Sequence, residues 1–209
     1  MSVLQKLASA LHRRGETPNI ALADAIAQSD DKNAVKELAE NLDNKNKHIK
    51  YDCIKVLYET GGRKPVLIAD YTKKFLNLLN NKDNRLQWGA MTALSCIADV
   101  QPGTIYKALP ALSLAAQKGS VITKDQYIAI MVKLSAVNKY TDDVLPLLNE
   151  ALLTSLPNQL PMYAEQALTV INNEYKAGFI KTLKFRLKDV QAASKQKRIE
   201  KIIKKLEAL

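Results

Sequence analysis

The sequence predicts an all-α chain, a right-handed superhelix of about six antiparallel helix pairs, and three observations predict it. The first is internal repetition. Ile49, Cys53, Val56 and Leu57 return as Leu86, Ala90, Ala93 and Leu94. They return again as Thr123, Tyr127, Ile130 and Met131, then as Leu160, Ala164, Ala167 and Leu168, each step being about 37 residues. Small or apolar residues at these spacings line one face of a helix. The second observation is composition. The chain is 47% hydrophobic, which suffices for a continuous core, yet it has three Phe, one Trp and no useful run of alternating apolar and polar residues. The third is punctuation, because most of the seven Gly and seven Pro stand where helices should start or stop.

Each element then finds a place within one expected domain, residues 1–209. An atypical N-terminal pair occupies 1–30, broken at Gly15 and Glu16 and restarted by Thr17-Pro18. Met1 to Arg14 has most of its charge after its apolar part, so it reads as an amphipathic helix rather than a secretory signal; an organellar transit peptide is the alternative. Repeats follow at about 31–64, 65–101, 102–140 and 141–175. In the first of these, Asp31 to Leu42 forms one helix, Asp43 to Asn46 the turn, and a second helix runs to about Thr60, where Gly61 and Gly62 are expected to stop it. Pro65 opens the next repeat, whose first helix carries Phe75, Leu76, Leu78 and Leu79; Asn80 to Asn84 is its turn, and its second helix runs to about Val100. Pro102 and Gly103 punctuate again. Thr141, Asp142 and Asp143 are placed as a capped, acidic helix start. A basic capping pair, 176–209, closes the stack.

These repeats resemble the HEAT-repeat family, and the resemblance covers most of the chain. Armadillo repeats are close relatives. The family's second helix typically reads apolar, basic, any, small, small, then Ala-Leu. Ile49-Lys50 with Cys53 and Val56-Leu57 fits, as does Leu86 with Gly89-Ala90 and Ala93-Leu94, although Gln87 replaces the basic residue. Pro110 and Pro146 match the proline that bends the family's first helix. Where the family often has an aspartate in the inter-helix turn, this chain has Asn44, Asn81, Lys118 and Ser155, so any ladder of charged turn contacts should be weaker.

The resemblance implies that second helices line a concave binding face. Opposite the core positions of the 49–60 helix lie Tyr51, Lys55 and Tyr58, with Lys50 beside them; one repeat later the stripe carries Trp88. Aromatics next to lysines have the composition of an interaction hot spot. The alternative is that Tyr51 and Trp88 are wedges packed between neighbouring helices. Charge is the second surface signal. The chain carries +10 overall, and about +8 of it lies in residues 176–209. Residues 141–175 have no Lys or Arg. A basic end with Lys197, Arg198, Lys201 and Lys205 could hold nucleic-acid phosphates, or serve only as a solvated cap.

Two functions therefore compete. The favoured one is a non-enzymatic scaffold that holds a protein or peptide on its concave face. The alternative is a nucleic-acid-binding protein using the basic end. Its remote enzymatic form would resemble the alkylpurine DNA glycosylases, with Asp125 one repeat beyond Trp88 on the same stripe, but Trp88 has no second tryptophan beside it. No phosphate loop, nucleophile elbow or HExxH motif occurs, so no cofactor or metal is expected. Of the two histidines, His12 and His48, the second is expected to contact Asp52 along its helix. Cys53 and Cys96 are expected as buried free thiols in a reducing, cytoplasmic setting, and no apolar run is long enough to insert across a membrane.

Overall fold

A computed structural model describes residues 2–13 and 15–208; the expected N-terminal amphipathic helix thus includes two residues, Met1 and Arg14, outside the described ones. Among the described residues there are twelve α-helices and no strand. They divide into two compact units, 1–127 and 128–209. The first holds α1 (Thr17–Ser29), α2 (Lys32–Glu40), α3 (Lys47–Arg63), α4 (Thr72–Leu78), α5 (Asn84–Ile97), α6 (Pro102–Lys107) and α7 (Leu109–Lys118). The division falls within α8 (Val121–Ser135). The second unit continues with α9 (Asn138–Thr154), α10 (Leu160–Ala167), α11 (Lys176–Leu187) and α12 (Ala193–Glu207).

Stacking is visible in which helices touch. In the first unit α1 packs on α3, and α3 on α5; in the second, α9 packs on α11 and α10 on α12. A helix that meets the next but one in sequence is the contact pattern of stacked helix pairs, each burying its apolar stripe against the following pair. The repeat positions supply that stripe: Cys53, Val56, Leu57, Ala90, Ala93, Leu94, Ile130, Met131, Ala164 and Ala167 are all buried. Ile49, Tyr127 and Leu168 are half-buried.

Capping repeats as faithfully as the core. Asn46 accepts from the His48 amide at 2.9 Å, and Asp83 from the Arg85 amide at 2.9 Å. Ser120 Oγ accepts from the Thr123 amide at 3.3 Å. These are successive 37-residue positions, and each satisfies an orphan N–H at the start of a second helix. Two residues earlier, Asn44 and Asn81 accept from the amides of Asn46 and Asp83 at 2.9 and 2.8 Å. The turn asparagines thus brace the caps by short Asx turns.

Several boundaries differ from the sequence expectation. Gly61 and Gly62 do not stop α3, which runs on to Arg63 and ends at Lys64, ahead of Pro65. Gly61 is needed for proximity: a Cβ there would lie 3.2 Å from the Cys96 Cβ and closer still to Ile68. Gly89 plays the same part in α5, where a Cβ would stand 2.6 Å from Cγ1 of Ile54 on α3. Before Gly15, residues Val3–Lys6 form a 3-10 helix in place of an α-helix. Pro110 sits in the first turn of α7, separated from α6 at Ala108, whereas Pro146 lies inside a continuous α9. Thr141 is not a cap: α9 has already begun at Asn138, and the Thr141 hydroxyl donates to the Ser135 carbonyl at 2.9 Å.

The thiols also separate. Cys53 is fully buried and burial pushes its thiol up to about 12, helped by the nearby Asp52 and Glu37 charges. Cys96 is only half-buried, and its Sγ lies 3.7 Å from the Tyr58 carbonyl. Native labelling with a maleimide at neutral pH should therefore modify Cys96 first and Cys53 only in denaturant, because burial removes both access and thiolate. Fast native modification at Cys53, read by mass spectrometry, would contradict this burial.

Candidate functional site

The face carried by α3 and α5 brings together the aromatic residues that sequence spacing put on one stripe. Tyr51 and Tyr58 lie two turns apart on α3, and Trp88 is in the second turn of α5. All three are half-buried. The Tyr58 and Trp88 rings are in contact, 5.8 Å apart and tilted by 54°. Tyr51 donates to Asp83 Oδ2 at 2.6 Å, so one carboxylate caps α5 and fixes the Tyr51 ring. That hydrogen bond, with burial and the Asp83 charge, raises the Tyr51 pKa.

Lys55 is not the exposed cation that the stripe implied. It is 8% exposed, and its ammonium donates to Glu16 and Glu59 at 2.9 Å each while standing 5.0 Å over the Tyr58 ring. Burial alone would lower its pKa, but the two carboxylates outweigh burial and hold it raised. Arg85 completes the link: its guanidinium lies 5.0 Å from the Tyr51 ring and donates to Glu16 at 2.8 Å. Glu16 therefore clasps α3 and α5 together through one carboxylate. Further along α3, Arg63 pairs with Glu59 at 2.7 Å and with Asp24 of α1. Lys50, beside Tyr51, is half-buried.

Glu16 is the residue that sequence reasoning missed. It stands where α1 should be capped, yet it makes no side-chain cap; its carboxylate goes to the α3–α5 face instead. Asp52 is a second surprise. It is buried, and its oxygens accept from the Ser9 amide and from Asn19 Nδ2, both at 2.7 Å. The expected His48 contact is thus replaced by a tie to the N-terminal segment, and His48 is exposed. Away from the aromatic face, a polar recess of about 540 Å³ is lined by Asp43, Asp70, Tyr71, Lys74 and Asn77, with Lys74 paired to Asp43 at 2.9 Å.

The basic end resolves residue by residue. Lys197, Lys201 and Lys205 of α12 are exposed. Arg198 instead holds Glu165 through two hydrogen bonds, 2.8 and 2.6 Å. Arg186, counted among the surface charges from sequence, is 6% exposed. It donates to the carbonyls of Leu152 (3.0 Å), Leu153 and Ser155 (2.8 Å), which end α9, and to Asp189 at 2.7 Å. The two arginines of this end are therefore spent on structure.

Stacked helix pairs with a recurring core stripe define a helical-repeat solenoid. No family model matches the chain, and no curated protein matches it. Solved structures do. An engineered protein is 18% identical with a TM-score of 0.63, the match covering 100% of both chains. A designed armadillo repeat protein, solved in complex with the peptide (KR)4, is 17% identical with a TM-score of 0.67 over 98% of this chain and 94% of that one. At these identities the likeness is one of fold.

Proposed function

We propose that the chain is a non-enzymatic scaffold of HEAT-like repeats that takes a protein or peptide segment on its α3–α5 face. The observation that carries the reading is the aromatic set itself. Tyr51, Tyr58 and Trp88 are half-buried, held rigid by Glu16, Lys55, Asp83 and Arg85, and left with surface to cover. Large aromatics fixed in advance lose little entropy on binding and tend to dominate affinity. The designed armadillo neighbour holds a peptide, which supports the same use of this fold. The free thiols suit a reducing compartment, so the cytoplasm is the proposed setting.

The test is affinity capture from native lysate with and without nuclease, comparing wild type with Trp88→Ala. Trp88 packs against Tyr58, so its removal should cost roughly 1 kcal/mol of stability and leave the chain folded. The captured protein should be lost in Trp88→Ala and retained after nuclease. Capture that survives Trp88→Ala, or disappears with nuclease, would overturn the assignment of this face.

A further inference from the structure

We propose that the second unit docks on an anionic lipid surface through the face of α11 around Phe185. The inward face of α11 is filled by Phe179, Thr182, Leu183 and Arg186, all buried. Phe185 points away from that core and is 56% exposed. Its neighbours on the exposed side are Lys181, one turn before, and Lys188, almost one turn after, while Lys184 is paired with Glu207 at 2.7 Å. The grip of Arg186 on the carbonyls of Leu152, Leu153 and Ser155 fixes the last turn of α9 alongside α11. Leu153 in that turn is 42% exposed, and Leu156, just past the helix end, is 50% exposed. Phe185 is thus an exposed aromatic ring set among cations.

Charge selects the partner. Within 176–209 the acids are three, and two are committed, Asp189 to Arg186 and Glu207 to Lys184. Lys197, Lys201, Lys204 and Lys205 of α12 add exposed positive charge. A lipid surface fits better than a nucleic acid for two reasons. Both arginines, the bidentate phosphate ligands, are occupied by carbonyls or by Glu165. The face of the Phe185 ring is covered by its own Lys188, 4.5 Å from the centroid, which removes a stacking platform for bases. An exposed aromatic edge surrounded by lysines is what the boundary between headgroups and acyl chains accepts. Among the described residues no helix is long and apolar enough to cross a membrane, so this contact is peripheral.

Co-sedimentation of the full chain with vesicles tests the proposal. Vesicles of phosphatidylcholine containing about one third phosphatidylserine should pellet the protein, and pure phosphatidylcholine should not. Phe185→Ser should weaken vesicle binding by about tenfold, while Phe185→Leu keeps most of it. The double variant Lys181→Glu, Lys188→Glu should weaken it by roughly tenfold or more, and the unchanged melting of all three variants checks that the exposed positions leave the fold intact. Failure of the wild type to pellet with phosphatidylserine would overturn the proposal, as would binding indifferent to Phe185→Ser. Retention on single-stranded RNA that survives Phe185→Ser and strips the protein from vesicles would assign the face to nucleic acid instead.

Discussion

Arg186→Met should destabilise the second unit by about 3–5 kcal/mol, the usual scale for removing one partner from a buried charged network. The guanidinium is the terminal cap of α9, filling the role that water or glycine fills elsewhere. Methionine replaces the volume and leaves the Leu152, Leu153 and Ser155 carbonyls without their donor. Arg186→Lys should recover little, since a point-charge ammonium cannot reach three carbonyls and Asp189 in the planar fork that arginine offers. Urea unfolding monitored by circular dichroism gives the measurement. A loss below about 1 kcal/mol for Arg186→Met would mean that water re-caps the helix and that the buried arginine is dispensable.

Leu94→Ala is expected to cost about 2–5 kcal/mol, through lost burial and the cavity that remains. Leu94 is fully buried on α5, at the place that Leu57 occupies one repeat earlier. The helices around it are in close contact, with Gly89 of α5 against Ile54 of α3, so collapse around the cavity is resisted. Trp88→Ala, one and a half turns away, should cost much less. Thermal melts of the two variants side by side separate core from surface. Equal losses would show that Trp88 is a structural wedge and would remove the aromatic face from consideration.

The helical-repeat class was legible from sequence because burial recurs at one period. Four segments that place small or apolar residues at the same spacing leave little choice of architecture, and Cys53, Ala90 and Ala164 fall inward, with Tyr127 half-buried at the equivalent place. The aromatic stripe was legible for the same reason, as the complement of the core positions. Its chemistry was not. Whether Lys55 faces water depends on Glu16, which is distant in sequence and stands just before another helix, α1. Nothing in the local pattern of Gly15-Glu16 distinguishes a chain break from a clasp. Arg186 was misread for a related reason: a basic residue in a basic segment looks like surface until the end of α9 is seen against it. The glycines were read as stops on local grounds, while Gly61 is set by the approach of Cys96 and Ile68.

The Glu16 clasp has a kinetic meaning. Stacking of α1 on α3 and α3 on α5, and of α9 on α11 and α10 on α12, keeps most contacts short in sequence, so assembly can begin locally within each unit. The bond from Arg85 to Glu16 breaks that locality, because its partners are 69 residues apart. It can close only after α1, α3 and α5 are all in register. Glu16→Gln should therefore accelerate unfolding while leaving the early folding rate almost unchanged, the behaviour of a contact formed after the rate-limiting barrier. The clasp would act as a late lock, lengthening the lifetime of the finished stack without guiding its formation.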